Sequence, residues 1–384
     1  MHLKLFLYIL LFYVKKNRFH LNNYKTDDVY LIFQTDVTLL FYKRKTREYK
    51  NVCLFVYLRI LNAMKNIRLT TSALCLFIFS FVSAQTEDIS KQLINQNNVK
   101  AQTTFDYDYL NGKPVKKGTR SLSIKFDNNG NKTEEIGYKM NGSVHYVQTY
   151  AYDSRSRMIE YAKYIGNREK LEYKITIKYN PSGQKLNESG FNGTEAFRNA
   201  YTYDSNGKLT EITYFIGNKV DEKRKLTYNG NETEINVYNG AGAHLYRLVD
   251  THDSHNNLIQ ELQYDNKNNL TRKMVYRYDA RGNQIAEEKY MNGKQVYVTE
   301  RTFDSKNLLT EVYQENSGGS KFLSNKYKYD GQGRLIEEQY RSEAARDFSK
   351  NVYRYQNNGL RETVDSYFAS YKYQVLYVYA YETY

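Results

Sequence analysis

Apolar and polar positions alternate along this chain in short runs and do not recur at helical spacing. Along Lys326–Asp330 the aromatics fall at Tyr327 and Tyr329, two residues apart and so on one face of an extended strand. The same spacing recurs at Tyr150/Tyr152, Tyr201/Tyr203, Tyr276/Tyr278 and Tyr353/Tyr355. The alternate runs place an aliphatic first, then Glu, then an aromatic, as in Leu335, Glu338, Tyr340 and Ile285, Glu288, Tyr290. The pattern predicts strands of about eight residues, each able to bury one face.

Two kinds of turn separate the strands. The first follows an aromatic-Asp pair at Phe126-Asp127, Tyr152-Asp153, Tyr203-Asp204, Tyr278-Asp279, Phe303-Asp304 and Tyr329-Asp330. Degenerate copies stand at Tyr179-Asn180, Tyr228-Asn229, His252-Asp253 and Tyr355-Gln356. The ten marks are spaced 24 to 27 residues apart, which defines a tandem repeat. Asp accepts from backbone N–H groups just beyond it, and Gly130, Gly207, Gly282 and Gly333 supply the positive φ that closes the turn. Asn256 and Asn307 replace that glycine elsewhere. The second turn is Asn-Gly, at 141–142, 192–193, 239–240 and 292–293, a hairpin signal. Asn111-Gly112 marks a partial unit before the first full one. These elements predict an all-β fold, a continuous antiparallel meander of β-hairpins. Twist accumulated over some twenty strands should curl it into a spiral or a twisted open superhelical sheet.

The pattern Tyr-x-Tyr-Asp-x-x-Gly-x-Leu/Ile-x-Glu, read at Tyr327–Glu337 and Tyr201–Glu211, resembles the YD repeat of the RHS family. The resemblance covers residues 105–384, about ten units with a C-terminal capping strand at Tyr367–Tyr384. It implies a spiralling hairpin strip, which in the large members becomes a shell around a C-terminal toxin. Only a short tail follows the last mark at Tyr355, so encapsulation is not expected. The chain is closer to a small secreted member without a toxin domain, or to a satellite of an RHS-type toxin system.

Ahead of the array, Met64–Ala84 has the build of a signal peptide: Lys65 and Arg68, then a short apolar run, then Val82-Ser83-Ala84. Cleavage is expected near Gln85, followed by a linker to residue 104. Residues 1–63 read as an upstream extension or disordered leader. No transmembrane anchor is expected after cleavage, because the uninterrupted apolar runs are shorter than a spanning helix. The mature chain should be secreted or periplasmic, or lie on the outer surface of a Gram-negative cell.

Composition sharpens this picture. The chain has 41 Tyr and 18 Phe but no Trp, and a net charge of +14. Residues 1–84 hold 13 of the Lys and Arg and 4 of the Asp and Glu, which leaves the array at about +5. Its charges of both signs are interspersed, so nucleic acid is not an expected partner. Both cysteines, Cys53 and Cys75, precede Gln85, so disulfides and thiolate chemistry are excluded from the array.

No catalytic, metal or cofactor site is expected. The pairs Glu134-Glu135, Glu287-Glu288 and Glu337-Glu338 recur with the repeat, and neighbours on a strand point to opposite faces. They should pair with Lys or Arg across strands. His252 stands at a repeat Tyr position and His255 in a turn, with no third ligand nearby. One tyrosine face must hold the array together. A surplus face bearing Tyr138, Tyr164, Tyr214, Tyr290 and Tyr340 could take a ligand, since sugar rings stack on phenol rings. A non-enzymatic envelope scaffold binding protein or cell-surface glycan is therefore expected. The alternative is a carbohydrate-binding adhesin that uses the tyrosine row.

Overall fold

In the computed structural model the chain divides into two units, residues 1–83 and 84–384. Residues 90–384 are described in full. Of the first unit, the backbone of one antiparallel hairpin is described, Val29–Gln34 with Val37–Tyr42. The expected signal peptide at 64–84, the cleavage point near Gln85 and both cysteines lie outside the described residues.

The second unit is an up-and-down antiparallel meander of 22 strands closed into a barrel, with a short extra strand, Lys113–Pro114, at one hairpin. The expectation of an open spiral is thus corrected to a closed ring. The first strand, Val99–Leu110, pairs with the last, Tyr373–Thr383, from Val375↔Asp108 to Thr383↔Val99. The backbone N–H of Tyr384 then donates to the Asn98 carbonyl at 3.0 Å, and its hydroxyl donates to the Phe126 carbonyl. The expected capping segment at 367–384 therefore supplies the closing strand. The expected linker at 85–104 is corrected as well. It contains the helix Lys91–Gln96, capped by the Ser90 hydroxyl, and the first half of the first strand.

Curvature has a repeated local cause. Every YD-type turn except the one after Tyr228 is flanked by a register shift at its aromatic residue. At Tyr329, for example, Leu335 and Glu337 pair while Ile336 is left over. Each extra residue bends its strand and increases the twist, and summed around the meander this brings the two edges together. Closure also removes two long edge strands that would otherwise be free to pair with other chains. With strands 4.8 Å apart, such a ring is about 35–45 Å across at the backbone.

The YD pair builds each joint. The Asp279 carboxylate accepts from the backbone N–H of Arg281 and Asn283, both at 2.9 Å, and from the Asn283 side chain. Asp127, Asp153, Asp204, Asp304 and Asp330 do the same at i+2 and i+4. Gly282 closes the turn at φ +84°. The tyrosine reaches across to the start of the preceding strand. Tyr329 donates to the Leu309 carbonyl at 2.9 Å, and Leu309 is the residue paired with the previous unit's Phe303. Tyr152, Tyr179, Tyr203, Tyr278, Tyr355 and Tyr381 make the same bond to their predecessors. Tyr228 does so as well, whereas the units that carry His252 and Phe303 at this place have no phenol to form the latch.

The register gives the sheet two unlike faces. One carries the tyrosine ladder, with buried Ile124, Ile212, Val237 and Val364 between the rings. Its largest aromatic cluster joins Leu335, Tyr353 and Val364 to Tyr327, Tyr329, Tyr355, Tyr377 and Tyr379. The other face carries cross-strand ion pairs: Lys125–Glu134, Lys174–Glu160, Lys223–Glu211, Arg247–Glu234 and Lys328–Glu337. At the closing seam the helix packs Leu93 and Ile94 on Val99, Phe126, Leu360 and Tyr381.

Candidate binding surface

The glutamate pairs separate as strand geometry requires. Glu134 pairs with Lys125, Glu288 with Arg277 and Glu337 with Lys328 on the charged face. Their neighbours Glu135, Glu287 and Glu338 turn to the ladder and accept from the hydroxyls of Tyr146, Tyr297 and Tyr353. Glu188 likewise accepts from Tyr201 at 2.7 Å and Asn199 at 3.1 Å. Burial works to raise its pKa, but Lys185 and these donors outweigh it and hold the carboxylate below its usual range. His252 stands opposite Leu258, while the backbone N–H of His255 donates to Asp253 in an exposed turn.

The five tyrosines expected on one surplus face do not share a face, which corrects that expectation. Tyr138, Tyr164 and Tyr290 lie on the charged face, whereas Tyr214 and Tyr340 belong to the ladder. Four of them are engaged. Arg120 covers the Tyr138 ring at 3.9 Å, Arg224 lies 5.1 Å from the Tyr214 ring, and Tyr290 donates to Glu288 beneath Lys273. Tyr340 is half-buried beside Glu338, where burial raises its hydroxyl pKa.

A different set of rings is presented together. Tyr150 and Tyr161 stand directly opposite each other with centroids 5.2 Å apart. Tyr173 follows at 5.8 Å and Phe197 at 5.9 Å, the last two nearly parallel. The final step spans an intervening strand at Gly190, where any Cβ would lie 1.8 Å from the Lys174 carbonyl oxygen. The missing side chain lets the two rings meet. All four are half-buried. The hydroxyls of Tyr161 and Tyr173 donate to no protein group among the described residues, unlike the latch tyrosines and those bound to glutamate. Burial and the charges of Glu135, Glu172 and Glu188 raise both pKa values, so the phenols stay protonated as donors. Gln148, already bonded to the Tyr150 hydroxyl, adds an amide at the edge of the run.

In the His252 unit a carboxylate enters the ladder. Asp250 replaces the first tyrosine of the Tyr-x-Tyr pair and stands directly opposite Glu261. At the matching places Tyr276 faces Glu287 and Tyr327 faces Glu338. Arg272, one strand further on, bonds Glu261 and leaves one Asp250 oxygen buried without a partner. Burial foremost, then the Glu261 charge, pushes the Asp250 carboxyl up to about 7, against a smaller opposing pull from Arg272. The aromatic run was legible in the sequence only as ladder. Asp250 did have a signal, because Asp250-Thr-His-Asp253 breaks the Tyr-x-Tyr-Asp pattern at two positions.

Neither face suits a hydrocarbon environment. Ion pairs recur along the charged face, and the ladder face carries the buried pair Glu222–Arg224 along with Glu287–Arg301 and Glu261–Arg272. Such charges at bilayer depth cost about 2–4 kcal/mol each for Lys and Arg. Among the described residues no helix is long and apolar enough to cross a membrane.

No family model matches the chain. Among solved structures it is similar to a porin-like protein from Bacteroides uniformis, at 11% identity over 74% of this chain and 97% of that one, with a TM-score of 0.28. A porin-like protein from Bacteroides vulgatus matches 55% of this chain and 98% of its own at 12% identity, TM-score 0.20. The structure of TcdB2–TccC3 matches 73% of this chain at 12% identity, TM-score 0.17. The match spans 24% of that chain.

Proposed function

We propose that the protein is a non-enzymatic scaffold of the bacterial envelope or cell exterior that binds glycans on its aromatic run. The observation that supports this most is the series Tyr150, Tyr161, Tyr173 and Phe197, with the hydroxyls of Tyr161 and Tyr173 free to donate. Half-buried rings in sequence can stack on the apolar faces of successive sugar rings, and the phenols can satisfy their hydroxyls. A rigid sheet holds such rings at fixed spacing and little ordering entropy is lost on binding. The signal-peptide pattern at Met64–Ala84 supports an extracytoplasmic setting.

The test is glycan-array binding of the wild type against Tyr161→Ala and Tyr173→Ala, with Tyr290→Ala as a control on the opposite face. Each ladder variant should weaken binding about tenfold or more while the control binds as wild type. Equal loss in all three, or binding indifferent to all three, would remove the aromatic run as the site.

A further inference from the structure

The hairpin turns lie alternately at the two ends of the barrel, and the two rims differ in chemistry. At the rim formed by the YD turns, Leu186 is the exposed large aliphatic among the described residues. At the opposite rim Leu110, Met140, Ile165, Ile216, Leu270 and Met291 are all exposed, from 38% at Ile216 to 88% at Met140. Five of the six precede a turn directly, in Leu110-Asn-Gly, Met140-Asn-Gly, Ile165-Gly-Asn, Ile216-Gly-Asn and Met291-Asn-Gly. They come from hairpins distributed along the meander from its first strand to Lys294–Phe303, and so around much of the ring. A single exposed aliphatic needs no explanation, but a set confined to one end of the molecule marks a contact surface.

The same turns are basic. Lys113, Lys116, Lys117, Lys139, Lys170 and Lys294 are exposed and form no ion pair among the described residues. The carboxylates there are fewer, and Asp265 is occupied by its own turn. Lysines beside apolar tips are the combination that binds an anionic bilayer surface. The ammonium groups meet the headgroups while the aliphatic tips enter the boundary with the acyl chains. Two copies meeting rim to rim would instead oppose like charges.

We infer that this rim docks on an anionic lipid surface and stands the barrel end-on against it, with both faces of the sheet left in water. The inference does not depend on the glycan reading.

The experiment is co-sedimentation of the full chain with vesicles of phosphatidylglycerol and phosphatidylcholine, or of phosphatidylcholine alone. Binding should require the anionic lipid and weaken as salt rises. Lys116→Glu/Lys117→Glu and, separately, Met140→Ser/Met291→Ser should each lower partitioning about tenfold or more. Thermal midpoints should not move, because these side chains are exposed. The chain contains no Trp, so Met140→Trp provides a reporter whose emission should shift to the blue on anionic vesicles, while Leu186→Trp at the other rim should not shift. Equal binding to neutral vesicles, undiminished binding by the rim variants, or a silent Met140→Trp reporter would overturn the proposal. So would a solution dimer that the rim variants dissociate.

Discussion

Asp250 and Glu261 face each other across two antiparallel strands, at the place where neighbouring units set a tyrosine against a glutamate. Burial foremost, and then the charge of Glu261 opposite, lets Asp250 keep its proton up to about pH 7. Its pKa is higher in the folded chain than in the unfolded one. The stability it contributes is therefore complete below about pH 4 and is lost as pH rises through 7. Asp250→Asn should stabilise the array at pH 8 by about 2–4 kcal/mol relative to wild type and leave it little changed at pH 4. Denaturant melts of both proteins across that window provide the check. An equal effect at both pH values would show that the carboxyl is not titrating there.

The latch bond predicts a cost for losing a single oxygen. Tyr329→Phe removes the donor to the Leu309 carbonyl but keeps the ring in place. Stability should fall by about 1–2 kcal/mol, because a carbonyl inside the sheet loses its partner. Thermal unfolding of Tyr329→Phe beside Tyr313→Phe, whose hydroxyl bonds only a nearby Glu311 side chain, separates the latch from a generic phenol effect.

Two glycines should fail for different reasons. Gly282 has open space around it but a φ of +84°, so Gly282→Ala should cost about 1–2 kcal/mol in backbone strain alone. At Gly137 a Cβ would lie 2.2 Å from the Tyr146 ring, so Gly137→Ala must displace that ring and its bond to Glu135. Gly137→Ala should be the more destabilising, and the Gly137→Ala/Tyr146→Ala double variant should recover part of the loss. Additive costs in that cycle would mean that ring and glycine are not coupled.

Closure predicts a change of association state. Removing residues 373–384 strips the closing strand from Val99–Leu110 and leaves two bare edges. The shortened chain should self-associate on gel filtration where the whole chain elutes as one species. An unchanged elution profile would mean that the ring does not depend on this seam.

The alternation of side chains, the Asp and Gly turn chemistry and the opposite aims of Glu134 and Glu135 could all be read from the sequence, because each depends on residues within a few positions of one another. So could the antiparallel meander, since ten evenly spaced turns leave a strand nowhere to go but back along its neighbour. Tertiary structure decided the rest. That Val99–Leu110 meets Tyr373–Thr383 depends on the sum of many small twists and bulges, and no pair of residues encodes it locally. Whether Tyr161 presents a free hydroxyl while Tyr214 lies beneath Arg224 depends on which side chains the neighbouring strands bring alongside. The repeat makes tyrosines alike in sequence, and only the cross-strand register makes them different.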